Sequence, residues 1–449
     1  MWIKFLGSKA LLLSRLKHSY GHHRCVTHLY GIPLLIFNCA IDDENEIHNE
    51  IKIYTTIVKN KFLRFLFISL TTFLQISSAA AQDSSRIKIS LLTCTPGEEL
   101  YSTFGHSALR VIDSNSVTDH VYNFGTFNFD DPGFYLKFVR GQLRYFVNVE
   151  EFQDFKFGYI TENRGITEQD LNFTADEKII IHRALIENIK EENKFYMYDF
   201  FFDNCTTRLR DILIKNHQPK PLLPAVMPTT YTFRNAIHYY LDGNNMLWSK
   251  FGIDILLGAP TDAVMTIPQQ QFLPENLMKA LDSTNNTAIV SSSKNLYVLG
   301  EINYKKGLFT PLVLFSSILT LFVFLSFFKN NNSQKFLHLL DAFLFFAVGL
   351  LGILLVFMWV GTDHIMTKNN YNLLWAWPVH IVYAFFIHKD NKKAKSFSLL
   401  VCIFLLLMLC LWFFLAQKMN NALLPLVVLM IWRSVYSIKD KTNRNKSEV

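Results

Sequence analysis

The chain has 449 residues, of which 50% are hydrophobic and 15% aromatic, and its formal net charge is +7. This length allows two or three domains, and the apolar content excludes an ordinary soluble protein and points to a membrane protein. The basic residues fall mainly beside apolar runs and in the amino-terminal extension, so the positive charge predicts no nucleic-acid partner.

A secretory signal is predicted within the chain rather than at its first residue. A basic stretch at 59–64 precedes an apolar core at 65–76, and small residues follow up to Ala81. We therefore assign residues 61–81 to a signal peptide that is cleaved after Ala81. Residues 1–60 are interpreted as a dispensable extension or a mis-assigned start, and their histidines lack the spacing of a metal site.

Residues 82–307 are predicted to form one exported α+β domain, which is long enough to bury a single core. Alternating apolar residues and turn signals predict its strands, and an apolar stripe introduced by the capping residue Thr174 predicts its first helix. The predicted elements are strands at 87–92, 107–112 and 121–124 and helices at 176–190 and 205–214.

Cysteine use singles out one residue of this domain. It contains two of the chain's six cysteines, Cys94 and Cys205, which are too few for a disulfide framework but could pair with each other. Cys205 opens the predicted second helix, with Asp203 or Asn204 as N-cap, where free backbone N–H groups and the positive end of the helix dipole favour a thiolate. Cys205 is therefore a candidate nucleophile.

A nucleophilic cysteine needs a base, and His106 is the best-framed candidate. It follows Phe104 and Gly105 at the start of a predicted strand. A histidine in that position is often an ordinary packing or hydrogen-bonding residue. Its separation from Cys205 along the chain decides nothing, because the Cys and His of thiol enzymes meet in space rather than in sequence. Both interpretations stay open at this point.

Five apolar runs follow, and most reach the ~20 residues that a helix needs to cross a bilayer. Lysine and arginine concentrate in alternate loops and after the last run, which places the carboxyl end in the cytoplasm and residues 82–307 outside it. We predict an all-α membrane domain of five transmembrane helices at 308–438 and a cytoplasmic tail at 439–449. Asp341 is unusual inside an apolar run, because intramembrane acids are costly. The runs are 308–328, 336–360, 371–387, 397–416 and 422–436.

Several separate motifs, in this order along the chain, resemble the Bacteroides-type lipoprotein N-acyltransferase family. They are LLTCTPGEELYSTFGHSALRV, VYNFGTFNFDDP, ENRGITEQDLNFT and YDFFFDNCTTRLRD in the exported domain and GTDHIMTKNNYNLLWAWP beside the membrane. A glycine-flanked histidine that precedes a cysteine at a helix start is also similar to the lecithin:retinol acyltransferase group. The resemblance implies a circularly permuted papain-like exported domain, with Cys205 as the nucleophile and His106 as its base.

The third catalytic group is less defined by this resemblance. Asn123 is chemically apt, because an amide can hold one tautomer of an imidazole, and His120 is its rival. The two side chains point to opposite faces of a predicted strand, so they cannot both serve. A role for Asn123 as a plain strand-end residue is the alternative.

The implied activity is apolipoprotein N-acylation at the bacterial inner membrane. An acyl chain would move from a phospholipid donor, through a thioester on Cys205, to the α-amine of the diacylglyceryl-cysteine of an apolipoprotein acceptor. The sequence has no phosphate-cradling glycine loop and no paired metal-ligand motif, so we expect no cofactor and no metal. The competing functions are a membrane-tethered cysteine amidase or phospholipase and a non-catalytic periplasmic binding or maturation factor.

Substrate-binding residues are predicted in two places. Arginines near the motifs could bind lipid phosphate, although each has an acidic neighbour and is as easily part of a structural ion pair. The polar loop between the second and third apolar runs is expected to face the exported domain and to seat the lipid head group or the amine, beside tryptophans typical of a membrane boundary. The candidates are Arg164, Arg208, Arg210, Asp363, His364 and Asn372.

Overall fold

The computed structural model describes residues 28–29, 32–33, 85–283, 289–298, 307–389 and 392–447. The chain divides into two compact units, Met1–Gln82 and Asp83–Val449. In the first unit, the described residues form two short strands that pair antiparallel, β1 (His28–Leu29) and β2 (Ile32–Pro33). The predicted signal peptide at 61–81 lies outside the described residues.

A seven-stranded sheet forms the core of the exported domain, and every neighbouring pair of its strands is antiparallel. Its strands are β3 (Ile87–Cys94), β4 (His106–Asp113), β5 (Thr118–Thr126), β6 (Arg144–Glu151), β7 (Ile166–Leu171), β8 (Phe195–Met197) and β9 (Val290–Tyr297). They lie in the order β8-β6-β5-β4-β3-β7-β9. The three strands predicted from the sequence are confirmed as β3, β4 and β5, and each is longer than predicted.

Helices cover both faces of the sheet, because side chains alternate along each strand and both sets are apolar. On one face, Leu91 packs in a buried cluster with Leu185 and Leu209 of two helices. On the other face, Leu92 packs with Phe155 of a third helix. The helices of this domain are α1 (Phe134–Arg140), α2 (Phe152–Thr161), α3 (Ala175–Asn188), α4 (Cys205–Lys215), α5 (Phe233–Gly243), α6 (Leu247–Leu256), α7 (Ile267–Gln270) and α8 (Pro274–Asp282), with 3-10 turns at Leu100–Ser102 and Ala259–Asp262.

Both predicted helices of the exported domain are confirmed, as α3 and α4. Thr174 caps α3 through a capping box, in which its hydroxyl accepts from the Glu177 N–H and the Glu177 carboxylate accepts from the Thr174 N–H. The domain is thus a mixed α/β domain around an antiparallel sheet. Its assignment to the circularly permuted papain-like fold stays a prediction.

The membrane region contains, among the described residues, three helices that are long and apolar enough to cross a bilayer. A further apolar helix, Pro311–Ser326, has 16 residues, fewer than the ~20 that a span requires. The region is therefore helical and membrane-like, and the predicted count of five transmembrane helices is not confirmed. Its helices are α9 (Pro311–Ser326), α10 (Asn331–Val360), α11 (His380–Ala384), α12 (Lys392–Leu411) and α13 (Leu424–Ser447), with 3-10 turns at Ile365–Thr367, Tyr371–Leu374 and Asn421–Leu423.

The third apolar run is a broken segment rather than one helix. It contains the 3-10 turn Tyr371–Leu374 and the five-residue helix α11, separated by a stretch that includes Pro378, which has no backbone N–H to donate. The segment packs closely on α10, where a Cβ at Gly349 or Gly352 would clash with its backbone. Non-helical backbone is tolerated at membrane depth where protein covers it, and such close packing provides that cover.

Asp341 forms a buried ion pair with Arg433, which joins α10 to α13. Nε of Arg433 donates to Oδ1 of Asp341 at 2.6 Å, and Nη2 donates to Oδ2 at 2.7 Å. His388 also contacts Asp341 Oδ2, at 2.8 Å. Both members of the pair are fully buried, so the unusual acid in the second apolar run is a structural partner between helices.

Buried amides attach the exported domain to the membrane region. Nδ2 of Asn370 donates to the backbone oxygen of Ile255 at 2.8 Å, and Nε2 of Gln417 donates to that of Leu257 at 3.0 Å. Both hydrogen bonds are made at the carboxyl end of α6, where the last carbonyl oxygens have no partner within the helix. The position of the exported domain over the membrane helices is therefore set by hydrogen bonds to its backbone.

Candidate active site

Cys205 is the first residue of α4, and Asn204 is its N-cap. Oδ1 of Asn204 accepts from the N–H of Thr206 at 2.9 Å and from that of Thr207 at 2.8 Å. Nδ2 of Asn204 donates to the backbone oxygen of Phe272 at 2.9 Å, which fixes the cap in the core. The cap uses the next two N–H groups of the first turn and leaves that of Cys205 for another acceptor.

His106 is brought to the same place by a sharp turn at Gly105. The backbone of Gly105 is left-handed, with φ +79°, and a Cβ there would lie 2.7 Å from the backbone oxygen of Cys94. Only glycine fits this approach to β3, and it lets β4 begin at His106. Beside it, the hydroxyl of Thr206 donates to that of Ser107 at 3.2 Å, which joins β4 to the first turn of α4.

His106 lies between Cys205 and Asn123. Nε2 of His106 is 2.6 Å from Oδ1 of Asn123, and the imidazole hydrogen-bonds to the Cys205 thiol. Because an amide oxygen only accepts, Nε2 carries a proton, and Nδ1 remains for the thiol. The structure therefore brings together the three residues that were predicted to be catalytic.

The contact between Cys205 and His106 favours the charged form of each. Burial raises the pKa of the thiol, but the His106 charge and hydrogen bonds from His106, the Ser107 N–H and Thr206 outweigh it and lower the pKa from 9.0 to about 7. Burial lowers the pKa of His106, yet the Cys205 charge and the hydrogen bonds to Cys205 and Asn123 raise it overall above 6.5. A thiolate beside an imidazolium is the activated form of a cysteine nucleophile.

Glu150, which the sequence did not suggest, orients Asn123. Nδ2 of Asn123 donates to Oε1 of Glu150 at 3.2 Å, so Oδ1 is turned toward His106. The rival residue His120 instead contacts Glu151, at 2.9 Å, near the surface. The sequence carried no signal for Glu150, because its approach to Asn123 depends on the register between β5 and β6.

The second cysteine of the exported domain is not joined to the first. Cys94 and Cys205 are both free, so the structure contains no disulfide between them. Burial raises the pKa of the Cys94 thiol to about 12, despite the opposing effects of Arg164 and Tyr159. A buried thiol with a raised pKa is unreactive, which separates Cys94 from Cys205.

A cavity of about 800 Å³ contains Cys205, His106 and Asn123 in its lining. Ligand pockets typically have volumes of about 300–1,000 Å³. Much of the remaining lining is aromatic or aliphatic. These apolar residues include Phe127, Phe129, Phe138, Leu143 and Tyr145. Among the residues that the structure describes, no group of three or more His, Cys, Asp or Glu is placed to hold a metal ion.

Arg164 is the one of the three predicted arginines that lines this cavity. Its side chain is held by two bonds, from Nε to the backbone oxygen of Thr95 and from Nη1 to Glu162, each 3.0 Å long. Only 5% of the residue is exposed, and its Nη2 has no hydrogen-bond partner among the described residues. A buried guanidinium N–H without a partner, beside a cavity, is suited to an anionic ligand group.

Arg208 and Arg210 are not brought to the cavity. Arg208 forms a bidentate pair with Asp203, with distances of 2.6 Å and 2.7 Å, and its guanidinium lies 3.5 Å from the ring centre of Tyr196. Arg210 donates to Asp211 at 2.7 Å. The ion-pair interpretation therefore describes both residues, because each cation is already neutralised by an acidic neighbour in sequence.

The polar loop after α10 faces the exported domain, as expected. The N–H of Asp363 donates to the backbone oxygen of Arg140 at 2.9 Å, and Nε2 of Gln142 donates to Oδ2 of Asp363 at 2.9 Å. His364 lies 3.2 Å from the backbone oxygen of Phe138 and is part of the cavity lining. These two loop residues thus bring the loop to the edge of the site.

Asn372, predicted to bind substrate, is placed elsewhere. Its Nδ2 donates to the backbone oxygens of Asp254 at 3.1 Å and Ile255 at 3.0 Å, and its Oδ1 accepts from Trp375 Nε1 at 3.0 Å. The side chain is buried and its polar atoms are used by the protein itself. Asn372 belongs with the amides that attach the exported domain to the membrane region.

Two family models match the chain. The model of the Lnb N-terminal periplasmic domain matches residues 77–236, and that of the Lnb transmembrane domain matches residues 303–445. The chain belongs to the Lnb family. Neither a curated protein nor a solved structure matches it.

Membership of the Lnb family gives the chain a periplasmic domain followed by a transmembrane domain. Cys205, His106, Asn123 and Arg164 all fall within the match to the Lnb periplasmic domain. The loop that contains His364 falls within the match to the Lnb transmembrane domain. The candidate site of this Lnb-family chain is therefore lined from both family domains.

Proposed function

We propose that the protein is an apolipoprotein N-acyltransferase that carries the acyl group on Cys205. The observation that supports this most directly is the contact of Cys205 with His106, and of His106 with Asn123, in a cavity that the membrane-side loop helps to line. In this proposal the protein lies in the bacterial inner membrane, with the site on its periplasmic side. A phospholipid is the donor, and a diacylated apolipoprotein is the acceptor.

In the first half-reaction, the Cys205 thiolate attacks an ester carbonyl of the phospholipid. The ester C–O bond breaks, a thioester forms on Sγ, and the imidazolium of His106 gives its proton to the leaving oxygen of the lysophospholipid. Asn123 holds Nε2 of His106, so that Nδ1 is the atom that takes and gives protons. The backbone N–H of Cys205 is the proposed donor to the oxyanion of the tetrahedral intermediate.

In the second half-reaction, the α-amine of the diacylglyceryl-cysteine attacks the thioester. The neutral His106 takes the proton of the amine, an amide bond forms, and the Cys205 thiolate leaves. One cavity thus serves two substrates in turn, which corresponds to ping-pong kinetics. The apolar lining favours the amine over water as the second nucleophile, because it limits access of water to the thioester.

Arg164 is the proposed partner for the phosphate of the donor. Its side chain lines the cavity that contains Cys205, and its Nη2 is buried without a hydrogen-bond partner in the described part of the chain. A guanidinium bonds a phosphate oxygen strongly, because donor and acceptor are both charged. With its phosphate bound at Arg164, the lipid would present its ester bonds to the Cys205 thiolate.

The competing functions differ in what happens to Cys205. A binding or maturation factor needs no activated thiol, whereas here the pKa of Cys205 is lowered to about 7 beside His106. A phospholipase would form the same thioester and pass the acyl group to water. A cysteine amidase would form a thioester from an amide substrate instead of a lipid ester.

Mass spectrometry of lipoprotein N-termini tests the proposal. Cells with the wild-type gene should contain triacylated lipoproteins, and cells that carry only Cys205→Ser should contain diacylated ones. Cys94→Ser is the matched control, because its thiol is buried and unreactive, and it should preserve triacylation. Purified wild-type protein given phospholipid without acceptor should accumulate a hydroxylamine-sensitive acyl group on Cys205. Full triacylation by Cys205→Ser would contradict the mechanism.

A further inference from the structure

Helix α1 has an apolar face that is exposed among the described residues. Tyr135 is 78% exposed and Leu136 is 62% exposed, and Phe138 and Val139 are exposed as well. Phe134, at the start of the helix, is buried, and its ring stacks on that of Phe138 one turn later, at the edge of the exposed face. A continuous exposed apolar face of this kind marks an interaction site.

The carboxyl end of α1 is held at the outer end of a membrane helix. Asp363, which accepts from Gln142 and donates to Arg140, follows the end of α10 at Val360 by three residues. Val360 itself is apolar and exposed. The first five residues of α10 are polar, and its remaining 25 residues, 336–360, extend about 38 Å against about 30 Å for the hydrocarbon layer, so the exposed apolar last turn lies close to the bilayer surface. Helix α1 is at the same level.

The basic residues of α1 are also suited to contact with a lipid surface. Lys137 and Arg140 lie in the last turn, beside the exposed apolar side chains. Lys137 pairs with Asp131, whereas Arg140 is exposed and has no ion pair within the described part of the chain. Exposed apolar and basic side chains together are typical of helices that lie in the membrane interface, where basic groups meet lipid phosphates.

The same helix reaches the candidate active site. Phe138 is exposed on α1 and also lines the cavity that contains Cys205. Phe127, Phe129 and Leu143 continue this apolar lining. Apolar side chains therefore line a path from α1, at the level of the bilayer surface, toward the Cys205 thiol.

We propose that α1 inserts its apolar face into the outer leaflet and forms the portal through which an acyl chain of a membrane lipid passes from the bilayer to Cys205. The lipid then never leaves the membrane completely, since its chain moves along Phe138 into the cavity. The insertion of α1 is independent of the reaction. The passage of an acyl chain rests on the proposed function.

Spin labelling in a bilayer tests the insertion. Nitroxide side chains are attached at Leu136→Cys and, as a control, at Val117→Cys, in protein whose other accessible cysteines are serine, reconstituted in phospholipid vesicles. Val117 is 90% exposed and precedes β5, whose other end leads to α1. β5 has nine residues and is therefore about 30 Å long, so Val117 lies at the end of this strand that is remote from the chain leading to α1. We expect position 136 to be accessible to oxygen and protected from a water-soluble nickel chelate, and position 117 to show the reverse. Equal exposure of both positions to the chelate would overturn the insertion.

Activity on vesicles tests the portal. Leu136→Glu/Val139→Glu should lower acyl transfer from vesicle phospholipid about tenfold, because charged side chains are disfavoured on a lipid-facing surface. The same variant should use a dispersed short-chain phospholipid at the wild-type rate, and its Cys205 should be alkylated normally. Val117→Glu should leave both activities unchanged. An equal loss with vesicles and dispersed lipid would overturn the portal. If the proposed function were wrong, the wild type itself would transfer no acyl group from either lipid. The spin-label result would still show whether α1 inserts into the bilayer.

Discussion

Oδ1 of Asn123 lies 2.6 Å from Nε2 of His106, and this single contact determines which nitrogen of the imidazole faces the thiol. The amide is itself oriented by Glu150, which accepts from Nδ2 of Asn123. Contacts therefore link four residues in order: Glu150, Asn123, His106 and Cys205. The pKa of Cys205, at the end of this series, is lowered, whereas that of Cys94 is raised.

Removing the amide should slow catalysis without unfolding the protein. We expect Asn123→Ala to lower the rate of acyl transfer about 100-fold, because His106 loses the bond that holds its tautomer, an effect within the range of general acid–base catalysis. Glu150→Gln should have a smaller effect, since it leaves Asn123 in place but permits the amide to flip. His120→Ala is the control and should be close to wild type. Steady-state kinetics with a fixed phospholipid would measure all three, and equal rates for Asn123→Ala and His120→Ala would contradict the role of Asn123.

Alkylation of Cys205 should depend on pH with a midpoint of about 7. The pKa of this thiol is lowered from 9.0 to about 7, so the reactive thiolate forms as the pH rises through that value. In His106→Ala the burial that raises the pKa remains, and the charge and hydrogen bond that lower it are lost. The midpoint should therefore move to a higher pH than in the wild type. Rates of iodoacetamide labelling between pH 5 and about 10 would measure this.

Cys94 should stay unlabelled over that range, because burial raises its pKa to about 12. Peptide mapping of the labelled protein would separate the two cysteines. A midpoint that is the same in the wild type and in His106→Ala would show that His106 does not activate the thiol.

Arg164→Gln should weaken binding of the phospholipid more than it affects the thiol. Loss of a charge-assisted hydrogen bond, worth about 1.5 kcal/mol or more, should raise the KM for phospholipid about tenfold or more. Arg208→Gln is the matched control, because its guanidinium is paired with Asp203 away from the cavity. The alkylation rate of Cys205 should be unchanged in Arg208→Gln and should not fall in Arg164→Gln, because the Arg164 charge lowers the pKa of His106 and its loss favours the imidazolium. A KM that rises equally in both would show that the effect is not specific to the cavity.

Breaking the Asp341–Arg433 pair should destabilise the packing of the membrane helices. Asp341→Leu leaves Arg433 buried without its partner and should cost about 3–5 kcal/mol of stability. The double variant Asp341→Leu/Arg433→Met removes both charges and should recover most of that loss. Thermal unfolding of the detergent-purified protein would compare them. A double variant that is no more stable than Asp341→Leu would contradict the ion-pair role.

Elements set by neighbouring residues were predictable from the sequence. The strands around His106 and Asn123 follow from alternation and turn residues, and the helix start at Cys205 follows from a capping residue. Asn123 was preferred to His120 for the chemistry of its amide, and their opposite directions were predictable, but which of the two approaches His106 was not. It depends on the position of β5 relative to β4, in which Leu109 pairs with Tyr122.

The three arginines show the same limit for the site. In the sequence, Arg164, Arg208 and Arg210 each have an acidic neighbour and look equivalent. Their difference arises only when the chain folds, because Arg164 alone is placed at the cavity with a donor nitrogen left unpaired among the described residues.

The third apolar run shows a similar limit for the membrane region. Residues 371–387 have the composition of a span, and the irregular path of this segment follows from close packing on Gly349 and Gly352.

The attachment of α6 to the membrane helices fixes the distance of the candidate site from the membrane region. Asn370 and Gln417 hold the backbone of residues 255–257 rather than flexible side chains, so the exported domain cannot swing on a tether. In the proposed function, Cys205 is then held at one height above the bilayer, and an α-amine would be acylated only when its own lipid anchor holds it at that height. Selectivity for lipid-anchored acceptors would in that case require no recognition of the acceptor's sequence, and a soluble peptide with the same N-terminal residues should be a poor substrate.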